Sequence, residues 1–160
     1  MSDAATPPPE SYQIRFAVPA DAPQIAQFQW EMAWETEEKK LEPEIVLPAV
    51  EAVFQDPSRG QYLVAESTDA LVVASLLITY EWSDWRNSNM WYIQSVYVAP
   101  NHRRKGIFGR MYREVVQQAK KQDVRFVRLY VETENQRAQA TYESLGMKRL
   151  PYYMYQADLD

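Results

Sequence analysis

Arg103, Arg104, Lys105, Arg110 and Arg113 crowd five cations into a stretch, residues 101–113, that holds no carboxylate. Gly106 and Gly109, two of only four glycines in the chain, fall inside the same stretch. It lies between a predicted strand and a predicted helix. Glycine at such a junction lets backbone N–H groups approach a ligand, and a helix start supplies positive potential. Cations at a helix start are unfavourable unless an anion neutralises them. The cluster therefore reads as a phosphate site, the alternative being arginines splayed into solvent. It is not a P-loop, since no Gly-Lys-Ser/Thr occurs, and no G-x-G-x-x-G marks a dinucleotide site. Lys105 to Gly109 faintly echoes an RNA-recognition strand but lacks the second aromatic and reads as helix. With a pI near 5.0, nucleic acid is not an expected partner.

Other chemistries are closed off by composition. Cysteine is absent and His102 is the one histidine. Disulfide scaffolds, cysteine nucleophiles and His- or Cys-rich zinc sites are excluded, and a Ser-His-Asp triad would depend on His102 alone. His102 reads as a surface loop residue, and no metal is expected.

The 160 residues make a normal single domain with a formal net charge of −5. Residues 1–11, with Pro7, Pro8 and Pro9, read as a flexible tail, and residues 12–160 as one domain. No signal-like or membrane-length apolar run occurs, so a soluble cytoplasmic protein without a membrane partner is the default expectation. Residues 1–90 hold 15 acids and 5 bases, whereas residues 91–160 hold 7 acids and 12 bases. Such a split lets the two halves face differently charged partners.

The elements that must carry the basic stretch follow from periodicity. Tyr12 to Val18 alternates as a strand. Asp21 then reads as the N-cap of a helix with Pro23 in its first turn, running to about Trp34. Val46, Val50, Val53 and Phe54 share a helical face, with Pro48 in the first turn or at a kink. Gln61 to Glu66 and Leu71 to Tyr80 form a hairpin, and a loop from Glu81 to Asn89 leads to a strand from Trp91 to Val98. Ile107, Met111, Val115 and Ala119 predict a helix, Val124 to Glu132 a strand, Asn135 to Leu145 a helix closed by Gly146, and Tyr152 to Leu159 a last strand. The strand-helix-strand unit over residues 91–132 predicts a right-handed parallel crossover within a mixed sheet. Ligands of open α/β sheets favour the carboxyl ends of such strands, here residues 98–109 and 132–142.

Tyr97-Val98-Ala99-Pro100-Asn101-His102-Arg103-Arg104-Lys105-Gly106-Ile107 resembles the acetyl-CoA motif of the GNAT superfamily of N-acetyltransferases, a strand followed by Q/R-x-x-G-x-G/A at a helix start. Leu129 to Ala138, then Tyr142, then Leu145-Gly146-Met147, resembles that superfamily's second motif. Together they cover residues 91–147. One position departs from the pattern: the sixth, usually Gly or Ala, is Phe108, with Gly109 one place later.

The resemblance implies an α/β fold with a mixed, mostly antiparallel sheet, a parallel splayed pair and helices on both faces. It implies acetyl-CoA as cofactor and a primary amine of a small molecule or peptide as acceptor. In such enzymes the strand holding Val96, Tyr97 and Val98 carries a bulge where the pantetheine arm bonds backbone groups. Arg103, Arg104, Lys105, Gly106, Ile107, Phe108 and Gly109 wrap the pyrophosphate, Asn135 contacts the cofactor arm, and Tyr142 protonates the departing thiolate. A phenol stays protonated at pH 7, which suits that role. Asn135 also reads as a helix N-cap, and Tyr142 as a core aromatic.

For the acceptor, Glu31 and Glu35 share a helix face near the family's acceptor pocket. Trp82, Asp84, Trp85 and Arg86 sit in the loop after Tyr80, where acid plus tryptophan suits a cationic amine. Glu81, as a base, and Gln94 are further pocket polar groups. Five Trp and eleven Tyr leave room for a homodimer surface. The alternative reading is a non-catalytic acyl-CoA-binding or interaction module on the same fold.

Overall fold

A computed structural model describes residues 11–159 of the chain. All but Ser11 of the tail expected at residues 1–11 lies outside the described residues. The chain divides into two compact units, Met1–Leu129 and Tyr130–Asp160.

In the first unit, strands β1 (Tyr12–Phe16), β2 (Gln61–Ser67), β3 (Val72–Ser83), β4 (Ser88–Val98) and β5 (Val127–Arg128) form one sheet in sequential order. Pairing is antiparallel from β1 through β4 and parallel between β4 and β5. Alternation along β2 explains the layering. Leu63 and Ala65 point to a core shared with helix α3 (Ile107–Lys121), and Tyr62 and Val64 to one shared with α1 (Ala22–Glu37) and α2 (Pro43–Gln55). Helices thus cover both faces, as expected. On α3 the residues spaced by four, Ile107, Met111, Val115 and Ala119, are all buried. Each of the larger three is stabilised by roughly 1.5–3 kcal/mol of apolar burial, which fixes how the start of α3 meets the end of β4.

Several boundaries differ from the sequence reading, each for a local reason. Asp21 does not cap α1 through its side chain. It ends a 3₁₀ turn, Pro19–Asp21, where its carboxylate accepts the Val18 N–H at 2.8 Å and two bonds from Arg15. Helix α1 continues to Glu37 and stops where Glu38 turns left-handed, at φ 53°. In α2 the first-turn proline is Pro43, while Pro48 lies inside a helix that continues through it.

Glu81 and Trp82 are not in a loop. The β3–β4 ladder runs outward through Glu81↔Met90, Trp82↔Asn89 and Ser83↔Ser88, leaving only Asp84 to Asn87 as the turn. The strand expected over Val124 to Glu132 shrinks to Val127–Arg128, because its pairing with β4 stops after Trp91↔Val127 and Tyr92↔Arg128.

In the second unit, helix α4 (Gln136–Ser144) opens on Asn135, whose Oδ1 accepts the Ala138 N–H at 3.1 Å, the expected N-cap. It closes as expected on Gly146 at φ 87°. There the Gly146 and Met147 N–H groups reach the Glu143 and Tyr142 carbonyls, a Schellman arrangement. The last expected strand, Tyr152 to Leu159, is not one. Tyr152, Tyr153, Met154, Tyr155 and Leu159 are all exposed, and alternation without a hydrogen-bonding partner does not make a strand.

Candidate active site

The centre of the site is the end of β4. Ser75 pairs with Tyr97 and Leu77 with Gln94, so the single residue Leu76 faces two, Ser95 and Val96. That is a β-bulge, and Ser95 takes φ 50° to make it. Beyond Tyr92, β4 has no pairing with β5. Bulge and early parting together free backbone groups of residues 93–98 from the ladder on that side, the splayed pair expected from the sequence.

After β4 the chain makes a 3₁₀ turn, Pro100–His102, and then a loop with two left-handed residues, Arg104 at φ 60° and Gly106 at φ 73°. Alternating handedness of this kind turns successive N–H groups toward one concavity. Gly106 is also the N-cap of α3, and among the described residues no side chain caps that terminus. The first helical bond runs from the Arg110 N–H to the Gly106 carbonyl at 3.2 Å, so the Ile107, Phe108 and Gly109 N–H groups precede it. Among the described residues a Cβ on Gly106 would meet nothing within 4 Å, which leaves open space over the loop. Arg104, Lys105 and Arg110 are exposed around it. N–H donors that precede the first helical bond, open space and exposed cations fit a pyrophosphate. Phe108 is half-buried, its ring 6.3 Å from that of Tyr112 on the next turn.

Beside this loop the structure joins four of the residues named from sequence. The buried Tyr97 hydroxyl lies 2.9 Å from Glu31 Oε2 and 2.8 Å from Glu35 Oε1, and its ring packs 5.2 Å from that of Phe28. Arg103 donates from Nη2 to Glu35 Oε2 at 2.7 Å and from Nε to the Val98 carbonyl at 2.8 Å, with its guanidinium 5.3 Å from the Tyr97 ring centre. Burial pushes the Tyr97 phenol well above its ordinary range, and Glu35 and Glu31 push it further. For Glu35 burial raises the pKa, but the Tyr97 hydroxyl and the Arg103 guanidinium outweigh it and hold the carboxyl below its usual value.

The acceptor candidates do not gather in one place. Gln94, just before the bulge, donates to Thr79 Oγ1. Asn89, the partner of Trp82, is eight positions from Tyr97 along β4, about 25 Å at the usual strand rise. Trp82, Asp84 and Trp85 therefore sit at the far end of the ladder from Glu31 and Glu35, with Trp85 at 89% exposure. Glu81 lies exposed on the same outer part of the ladder. Arg86 stacks over Phe126, 4.8 Å from the ring centre. His102 Nδ1 lies 2.9 Å from the Tyr12 hydroxyl. In the second unit, Asn135 is occupied as an N-cap, and burial raises the pKa of Tyr142.

Sequence reasoning missed a pocket of about 340 Å³ at the end of α1, lined by Trp30, Trp34, Lys39, Lys40, Leu41 and Pro43. Lys40 lies over the Trp34 ring at 5.9 Å, and the Trp30 Nε1 is buried with no partner among the described residues. The signal was present, two tryptophans at helical spacing immediately before Glu31 and Glu35.

The chain belongs to the acetyltransferase (GNAT) family, whose model matches residues 21–147. Among solved structures it is similar to one described as a possible acetyltransferase from Clostridium difficile 630. The identity there is 42%, over 93% of this chain and 98% of that one, with a TM-score of 0.87. A ribosomal-protein-alanine N-acetyltransferase from Brucella melitensis biovar Abortus 2308 shares the fold at 16% identity and TM-score 0.76, over 93% of this chain and 99% of that one. So does an aminoglycoside N-acetyltransferase in complex with CoA, at 13% identity and TM-score 0.77, over 96% and 98%. A comparison with curated protein sequences gives no match. Among the described residues no helix is long and apolar enough to cross a membrane.

Proposed function

We propose that this chain transfers the acetyl group of acetyl-CoA to a primary amine. The observation that carries the reading is the uncapped start of α3 behind the left-handed Arg104 and Gly106, at the end of a bulged strand that parts from its parallel neighbour. Bound acetyl-CoA supplies an activated thioester carbonyl. The chain's part is to hold the pyrophosphate on the N–H groups of residues 104–109, with Arg104, Lys105 and Arg110 as counter-charges. Backbone N–H groups around Val96, freed by the bulge, stabilise the oxyanion that forms when the amine attacks. Tyr142 is the proton donor to the leaving thiolate, and its raised pKa keeps that proton in place at neutral pH.

The acceptor side follows from charge. Glu31 and Glu35 share one phenol proton and one guanidinium, so the group carries one uncompensated negative charge when both are ionised. An acceptor that arrives as an ammonium ion restores the balance and leaves its proton there before attack. The test is mass spectrometry of an amine and amino-acid library incubated with acetyl-CoA. Acetylated amines are expected, and Tyr142→Phe should lower turnover about a hundredfold while CoA affinity stays similar. Cofactor binding with no product across a broad panel would leave a non-catalytic acyl-CoA-binding module in its place.

A further inference from the structure

Arg103 occupies the first position of the proposed phosphate-binding loop, yet its side chain is engaged outside that loop. Nε is bonded to the Val98 carbonyl, Nη2 to Glu35, and the plane lies over the Tyr97 ring. The engagement reaches across 68 residues of sequence, from the loop after β4 to the fourth turn of α1. Moving the guanidinium to a phosphate would break two charge-assisted or backbone bonds. It would also leave Glu35 and Glu31 side by side with one hydroxyl proton between them. The neighbouring Arg104 and Lys105 are exposed.

We propose that Arg103 is a positioning residue rather than a phosphate ligand: together with Glu35 and Tyr97 it straps the cofactor loop to α1, so that filling the loop steadies the part of the helix bearing Glu31 and Glu35. The inference rests on the acetyl-CoA reading and gives the site an order of events. A loop held by CoA steadies Arg103, Arg103 steadies Glu35, and the acceptor-side carboxylates, already joined through Tyr97, are held most firmly when cofactor is bound. A free phosphate ligand would behave oppositely, leaving Glu35 whenever CoA arrives.

The experiment measures CoA affinity by calorimetry at one salt concentration for wild type, Arg103→Gln, Glu35→Gln and Arg104→Gln, each checked by thermal melting. It is joined to hydrogen exchange with and without CoA. Arg103→Gln and Glu35→Gln should hold CoA within about threefold of wild type, while Arg104→Gln weakens it about tenfold. In wild type, CoA should slow exchange both at residues 103–110 and at residues 31–37. In the two strap variants only the first region should be slowed, a loss that a merely structural contact would not make dependent on CoA. A tenfold loss in Arg103→Gln with tighter binding in Glu35→Gln would overturn the proposal, since Arg103 would then be released to the phosphates. CoA-dependent slowing of residues 31–37 that persists in both strap variants would also overturn it. If wild type itself fails to bind CoA, the acetyl-CoA reading falls and the strap with it. Binding by wild type alone separates the two failures.

Discussion

The hydroxyl of Tyr97 donates toward Glu31 Oε2 at 2.9 Å, tying the last pairs of β4 to the third turn of α1. The same hydroxyl lies 2.8 Å from Glu35, so one proton serves two carboxylates on a phenol that is only 5% exposed. Removing it takes one bond from the half-buried Glu31 and one from the exposed Glu35.

Tyr97→Phe is therefore expected to cost about 1–2 kcal/mol, the usual range for stranding a hydrogen-bonded charge without changing shape. That corresponds to a fall in melting temperature of roughly 3–6 °C for a domain of this size. The aromatic contact with Phe28 is kept, so packing is not the cause. With an acceptor in hand, the variant should raise its KM more than it lowers kcat. A melting temperature equal to wild type would mean that the hydroxyl holds neither carboxylate.

How much of this was legible in the sequence depends on the range of the signal. Helix α3 was read from residues spaced by four because its amphipathic stripe is self-contained. The cap of α4 was equally local, since Asn135 bonds three residues ahead. Glu31 and Glu35 were named as a pair from their spacing, but their link to Tyr97 spans more than 60 residues and follows from no local pattern. The same distance in sequence hid the turn of Arg103 toward Glu35. Trp82 was misplaced because polar residues after Tyr80 look like a loop, whereas an antiparallel hairpin continues as a ladder beyond its apolar core. Tyr152 to Leu159 failed in the opposite direction, where alternation was visible and a partner strand was not.

Gly106 separates backbone conformation from ligand approach. Its φ of 73° lies in the left-handed region, and among the described residues a Cβ there would meet no atom within 4 Å. Gly106→Ala therefore tests conformation alone and should cost about 1 kcal/mol, or roughly 2–4 °C in melting temperature. Gly106→Glu adds a negative charge over the uncapped N–H groups of α3. It should melt close to the alanine variant yet weaken CoA at least tenfold by calorimetry. Unchanged CoA affinity in the glutamate variant would move the phosphate site away from this loop.

Arg15 holds Asp21 through both carboxylate oxygens, at 2.7 and 3.1 Å, and bonds Glu66 of the neighbouring strand at 2.7 Å. The Asp21 side chain is only 9% exposed and also receives the Val18 N–H, so one carboxylate joins β1, the 3₁₀ turn and the entry to α1. Its pKa is held below the ordinary value first by Arg15, against the opposing effect of burial. For a carboxyl depressed in the folded state, the unfolded chain binds the proton more readily as pH falls. The stabilisation is then complete above the ordinary carboxylate range and is lost as pH drops through the folded value. Asp21→Asn should thus lower stability by about 2 kcal/mol at pH 7, a fall of roughly 4–8 °C in melting temperature. The gap from wild type should close progressively below about pH 4. Arg15→Met combined with Asp21→Asn should recover part of the loss, because the single variant strands a half-buried guanidinium that the double variant removes. Melting curves that stay equally separated from pH 7 down to pH 3 would show that the Asp21 charge is not what holds the entry to α1.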